Sequence, residues 1–309
     1  MVKKHFHFSS TDGIHKIHGI VWRPEDESQI RGVLQIVHGM VEFIERYDDF
    51  AAFMCSHGFV VTGEDHLGHG GSVNNSDEYG YFAKKDGMSC IVEDNYRLKK
   101  HMEREFAGKP YFILGHSMGS FITRLFIMKY SKEIDGAIIM GTGNQPVLLA
   151  SVGRLLTRAI ALAKGWHFRS SFINNMAFGS YNKRFEPART PYDWLTKDEA
   201  IVDAYMADER CTFVFTLSAY RDLFGAVAEI GKTENIKKVR EDLPVLIVSG
   251  EDDPVGGFGK GVKGVFEKFK AANLKNVSLK LYKGDRHEIL NETDRKTVYE
   301  DLVKWLIQS

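Results

Sequence analysis

Two hydrophobic periods run along this chain, and the switch between them predicts its elements. KKHFHFSS (3–10) and HKIHGIVWRP (15–24) alternate like half-exposed strands around Thr11-Asp12-Gly13, which predicts an antiparallel pair joined by a turn. From Gly32 to His38 the pattern becomes a short apolar run, the signature of a strand buried on both faces. Residues 45–57 then read as a helix with Phe50, Phe53 and Met54 on one face and Gly58 as its stop. Further buried strands are predicted at 59–62, 111–114, 137–140, 245–248 and 278–282. A helix over 88–106 places Met88, Ile91, Val92, Asn95, Leu98, Met102 and Phe106 near a 3.6-residue period; another runs to Tyr130, and a last one spans 294–307 with Val298, Leu302 and Leu306 on one stripe. Strands alternating with helices imply a mostly parallel sheet covered on both faces, an α/β architecture. Between 145 and 241 the alternation stops. That stretch reads as helical over 147–163 and 211–230, with an irregular aromatic segment at 165–191, and is expected to be an insertion rather than a separate downstream domain.

Composition changes this picture little and narrows the partners. The 309 residues are 43% hydrophobic and 27% charged, which fits an ordinary soluble enzyme and excludes a disordered or fibrous chain. Lys+Arg and Asp+Glu both number 41, so no global basic field draws in nucleic acid or an anionic membrane. No apolar run reaches the 18 or so residues of a transmembrane helix. The N-terminus lacks an apolar secretion core, and Cys55, Cys90 and Cys211 are odd in number and widely spaced, so a cytoplasmic protein is expected.

The chemistry is signalled by Gly115-His116-Ser117-Met118-Gly119. This G-x-S-x-G directly follows a predicted strand and opens a predicted helix, the setting of a nucleophile elbow. A tight strand-to-helix turn strains the central residue and needs neighbours without bulky Cβ groups. A serine hydroxyl needs a base and a group to orient that base. Among twelve histidines, His287 follows the last predicted strand, where a loop at the sheet edge can hold an imidazole over Ser117. The acid belongs between them in chain order, and Glu251-Asp252-Asp253-Pro254 follows the fifth buried strand. Asp253 is the first candidate because Pro254 biases it away from helical geometry, with Asp252 as runner-up. The oxyanion hole is expected from the backbone N–H of Met118, after the nucleophile, and of Met40, in the loop after the third strand.

HGMVEFIERY (38–47), DHLGHGGS (65–72), LGHSMGS (114–120), GEDDPVG (250–256) and RHEILNE (286–292) together resemble the α/β-hydrolase fold. Within it the resemblance is to the family of monoacylglycerol lipases, lysophospholipases and serine aminopeptidases, and it covers nearly the whole chain. It implies the same triad, Ser117, Asp253 and His287. It also implies a core of residues 1–144 and 242–309 interrupted by a helical cap at 145–241. Phe43 stands where the family usually has His, and Leu67 where it often has Arg. The family reading of 65–72 is a structural loop beside the active site; a metal site at Asp65, His66 and His69 is disfavoured because no third-ligand pattern accompanies it.

The expected activity is hydrolysis of carboxylic esters through an acyl-serine, on mono-acyl lipids or medium-chain esters, with no metal or organic cofactor and at most transient contact with a lipid surface. A peptidase or amidase, a thioesterase or acyltransferase, and an inactive ligand-binding relative are the rivals; the Ser at the elbow disfavours dehalogenase chemistry. Val147, Leu148, Val152, Leu155, Leu156, Ala159, Ile160 and Ala163 form an apolar stripe that either lines an acyl channel or packs the cap onto the core.

Overall fold

A computed structural model describes residues 1–309. In chain order its elements begin with β1 (Val2–Ser9), β2 (Lys16–Arg23), β3 (Gly32–Val37), α1 (Asp48–Ser56) and β4 (Phe59–Glu64). Next come α2 (Gly87–Glu105), β5 (Tyr111–His116), α3 (Met118–Tyr130) and β6 (Gly136–Met140). Helices α4 (Val147–Lys164), α5 (Ser171–Phe178), α6 (Glu199–Ala207), α7 (Leu217–Ile230) and α8 (Thr233–Ile236) follow without a strand. The chain ends with β7 (Val245–Gly250), α9 (Lys260–Ala271), β8 (Val277–Tyr282) and α10 (Arg295–Gln308).

All eight strands join one sheet in the order β1-β2-β4-β3-β5-β6-β7-β8. The β1–β2 and β2–β4 pairings are antiparallel and the rest parallel, giving the α/β-hydrolase arrangement. Strands β3 to β7 are buried at every residue, which is why they read as apolar runs and not as alternation. One face of the sheet packs on α2, α3 and α9 through Ile91, Leu98, Ile122, Phe126, Val262 and Phe269. The other packs on α1 and α10 through Phe50, Met54, Val298 and Leu302. No helix is long and apolar enough to cross a membrane.

Three expectations need correction. The helix predicted over 45–57 is a 3-10 turn at Ile44–Tyr47 followed by α1, which stops at Ser56. The segment 165–191 is not irregular throughout: Ser170 caps α5 by accepting from Ile173 N, and a 3-10 turn covers Tyr181–Phe185. The helix predicted from Cys211 begins at Leu217, where the Thr216 side chain accepts from Ala219 N.

The apolar stripe of α4 is divided: Val147, Leu156 and Ile160 are half-buried against the core, while other large side chains of the helix face solvent. Leu148 is 76% exposed, Leu155 66% and Leu162 86%. The buried face is made of small residues, Ala150, Gly153, Thr157 and Ala161. They let α4 lie close on α7: a Cβ on Gly153 would stand 3.1 Å from the Phe224 ring.

Candidate active site

Ser117 sits between β5 and α3 with φ 54° and ψ −120°, a conformation costly for a residue with a Cβ. The flanking glycines are sterically required. A Cβ on Gly115 would lie 2.2 Å from Thr123 Oγ1 and 2.3 Å from Gly119 O, and one on Gly119 would lie 1.9 Å from Val37 O. The turn is pinned by Ser117 N donating to Met140 O (3.0 Å) and Ser120 N donating to Ser117 O (2.9 Å). Met118 opens α3, so its N–H belongs to the helix's first turn, which has no partner four residues back.

The loop after β3 approaches this elbow from the other side. A Cβ on Gly39 would meet Ser117 Cβ at 3.0 Å. The loop is held at several atoms. Gly39 N donates to Glu42 Oε1, Val41 N to His69 Nε2 (3.3 Å), and Tyr205 Oη to Val41 O (3.0 Å). Val41 has φ 57°, a strained value for a β-branched residue. Between these fixed points Met40 N–H makes no hydrogen bond within the chain. His69 is a neutral acceptor here: burial pushes its pKa down to about 3, and its Nδ1 faces Leu67 O (3.1 Å). Asp65 accepts from Ile44 N (2.7 Å) and Gly71 N (2.8 Å) and pairs with His18 at 2.7 Å, so it ties the 65–72 loop to its neighbours.

His287 lies in the loop after β8, with Nδ1 3.0 Å from Asp253 Oδ1. The contact has ion-pair distance, although the ring is turned out of hydrogen-bond alignment. Asp253 is fully buried after β7, accepting from Ser249 Oγ (3.0 Å) and Val255 N (2.8 Å). Burial alone would raise its pKa; the His287 charge and these hydrogen bonds outweigh burial and hold it below the ordinary aspartate value. Asp252 makes no such contact, and its N–H is spent on Asp285 O (2.9 Å). The β6–β7 segment reaches His287 as well: Trp194 packs on the imidazole with ring centroids 5.1 Å apart and accepts from His287 N at 3.4 Å.

Ser117, Met118, Met40 and His287 all line one cavity of about 440 Å³, and Asp253 stands behind the imidazole outside it. The Ser117 hydroxyl and the imidazole share this cavity without a hydrogen bond between them; such bonds commonly tighten only when substrate is bound. The cavity's apolar wall comes largely from α4, α5 and α7, including Leu149, Val152, Phe178, Leu223 and Phe224. Its core-side wall includes Glu42, His116 and Glu288, three buried polar residues the sequence did not single out as site residues. Arg46 joins them, bonding Glu42 Oε2 at 3.0 Å and Glu288 at 2.9 and 2.8 Å.

Comparison with known proteins identifies the family. Residues 28–294 match the Hydrolase_4 family, described as serine aminopeptidase, S33. A monoacylglycerol lipase of Mycolicibacterium smegmatis is 27% identical, over 97% of this chain and 95% of that protein. Human monoglyceride lipase is 23% identical over 93% of this chain and 85% of its own. A thermostable carboxyl esterase from Bacillus coagulans, solved in complex with glycerol, superposes with a TM-score of 0.92 at 28% identity, covering 100% and 99% of the two chains. A lipase solved in an open form gives 0.88 at 25% identity, over 99% of each chain. The chain therefore belongs to the Hydrolase_4 (serine aminopeptidase, S33) family and is a serine ester hydrolase of the α/β-hydrolase fold.

Proposed function

We propose that the chain hydrolyses mono-acyl lipids (monoacylglycerols or lysophospholipids) or medium-chain acyl esters, through a triad of Ser117, His287 and Asp253. The observation that carries this reading is the cavity of about 440 Å³, apolar on one side, onto which both the elbow hydroxyl and the imidazole open. In the first step His287 takes the Ser117 proton as Oγ bonds to the ester carbonyl carbon. The Met40 and Met118 N–H groups hold the resulting oxyanion, and Asp253 fixes the imidazole tautomer and stabilises its charged form. Collapse breaks the bond to the alkoxy oxygen, which leaves as the alcohol with the proton from His287. Water, deprotonated by His287, then attacks the acyl-serine, releasing the fatty acid and restoring Ser117.

Residues 145–241 act in this reading as a cap whose α4–α5 edge meets a lipid surface. Leu148, Leu155, Leu162, Phe172 and Met176 are exposed there. Between 145 and 185 the sequence has six Lys or Arg and no Asp or Glu, in a chain whose overall charge is zero. Leu149 and Val152 belong both to this exposed edge and to the cavity wall, so it adjoins the route to Ser117. An amine-recognising peptidase site draws no support from the nearest acids, because Glu42 is paired with Arg46 and Glu45 with Lys3.

Fluorophosphonate labelling with mass-spectrometric mapping tests the triad: the label is expected on Ser117 and lost in Ser117→Ala, and a label elsewhere sinks the assignment. A chain-length series of soluble esters tests the acyl pocket, with turnover rising from acetyl to medium chains; activity confined to acetyl esters argues against it. Sedimentation with anionic and zwitterionic vesicles tests the lipid edge. Preference for anionic vesicles that is abolished in Arg154→Glu/Arg158→Glu is expected, and equal binding by wild type and variant refutes it.

A further inference from the structure

His116, the variable residue of the elbow pentapeptide, is 4% exposed and touches both loops that the triad reading requires. Its Nδ1 lies 3.0 Å from Glu42 Oε1, and its Nε2 lies 3.3 Å from the backbone oxygen of His287. Both partners are acceptors. A neutral imidazole has one N–H and one lone pair, so one of these contacts would set lone pair against lone pair. Only the doubly protonated ring satisfies both.

The surroundings complete a closed circuit. Glu42 Oε1 also accepts from Gly39 N, which fixes the loop carrying Met40, and from Tyr47 Oη (3.1 Å). Glu42 Oε2 pairs with Arg46, and Arg46 grips Glu288, the neighbour of His287, at two oxygens. The circuit thus runs from the candidate oxyanion loop through the elbow to the base loop and back. Its charges cancel only if the ring is charged: Glu42 and Glu288 are negative, Arg46 and His116 positive.

We propose that His116 is a positioning residue, an imidazolium whose two N–H groups hold the His287 loop and the Met40 loop at a fixed separation across Ser117. This rests on the triad reading above. The titratable or charged groups around the ring are His38, Glu42, Arg46 and Tyr47 after β3, His287 and Glu288 after β8, and Asp253 behind His287. Burial alone would push the His116 pKa down. The hydrogen bond and charge of Glu42, helped by Glu288, outweigh burial and hold it above the ordinary histidine value. Loss of the second proton on raising the pH therefore breaks one arm of the tie and loosens the catalytic geometry.

The ring can be read directly. In protein labelled with ¹⁵N-histidine, the His116 signals are those missing from His116→Gln. At neutral pH they are expected to be those of an imidazolium with both N–H protons present, and a neutral ring with one N–H overturns the proposal. Glu42→Gln keeps a hydrogen-bonding side chain but removes the anion, so the ring is expected to titrate at lower pH. With it, kcat on a soluble short-chain ester should begin to fall at lower pH than in wild type, with KM within about two-fold. In His116→Gln, kcat should drop by about 10- to 100-fold, the scale of a misplaced catalytic group, and the alkaline limb should disappear. A loss of kcat unchanged across the pH range in Glu42→Gln, or a rise in KM alone, indicates a merely structural role and overturns it. Fluorophosphonate is expected to reach Ser117 in every variant; a label elsewhere refutes the triad while leaving the ring measurement to stand on its own.

Discussion

The two walls of the cavity are built on opposite principles. On the core side the backbone is immobilised by buried polar atoms and by glycines that admit no alternative. On the β6–β7 side, α4 lies on α7 through small residues, presents Leu149 and Val152 to the cavity and turns Leu148, Leu155 and Leu162 outward. The first wall holds atoms to the tolerance that chemistry needs. The second is greasy, adjustable and open to solvent, which suits a variable acyl chain and a lipid surface. If the proposed triad and acyl pocket hold, mutations should sort by wall into those that change chemistry and those that change substrate choice.

Asp253→Asn gives the sharpest contrast. It preserves shape but leaves the imidazole without its anion, so kcat on a short soluble ester is expected to fall on the order of 10⁴-fold, as for the acid of other Ser-His-Asp triads. The same substitution bears on acid stability. Because the folded carboxyl has a pKa below the ordinary aspartate value, it contributes stability at pH above that value, and this is lost as pH falls through the folded pKa. Wild type should therefore lose more stability than Asp253→Asn on acidification, which thermal melts across the acid range would show. A modest loss of kcat would mean that Asp253 is not the acid that orients the base.

Glycine-to-alanine substitutions probe the walls as packing. In Gly119→Ala the new Cβ meets backbone, 1.9 Å from Val37 O and 2.5 Å from His38 O, and neither can move without shifting β3. A loss of at least about 3 kcal/mol, or no folded protein, is expected, beyond the usual cost of overpacking. In Gly153→Ala the nearest atoms are those of the Phe224 side chain at 3.1 Å, which can turn. That change is expected to lie within about 1 kcal/mol of wild type, because helix propensity favours Ala over Gly by about that much. Equal effects in urea melts would erase the distinction.

What the sequence made legible follows from the same division. The buried strands and the strand-turn-helix around Gly115–Gly119 were readable because each is local, an apolar run or a pentapeptide; the candidates Asp253 and His287 came from their places after predicted strands. The Glu42–His116–Arg46–Glu288 circuit was not, since its members lie 74 and 242 residues apart at the His116–Glu42 and Arg46–Glu288 contacts and no period links them. For α4 the period was visible and only part of it faces inward: Val147, Leu156 and Ile160 pack on the core while Leu148 and Leu155 face solvent. A 3.6-residue repeat defines a face but does not say which face is inside. The small residues at 150, 153, 157 and 161 were the available signal, because helices approach closely only where side chains are short.

The smallest effect expected separates stability from chemistry at a buried carboxyl outside the cavity lining. Glu64, at the end of β4, is fully buried; its Oε1 accepts from Asn95 Nδ2 (3.0 Å) while Oε2 has no partner. Burial, with Asp94 and Asp65 nearby, pushes its pKa well above the ordinary glutamate value. The folded protein therefore keeps this carboxyl neutral where the unfolded chain would ionise it. Its contribution to stability is complete below the ordinary glutamate value and is lost as pH rises towards the folded pKa. Glu64→Gln removes that loss and keeps an oxygen for Asn95. The variant should match wild type in acid and melt higher above neutrality, by about 1.5 °C for each kcal/mol recovered in a chain of this length, with kcat unchanged. A melting difference that is constant with pH would show that Glu64 is ionised in the fold.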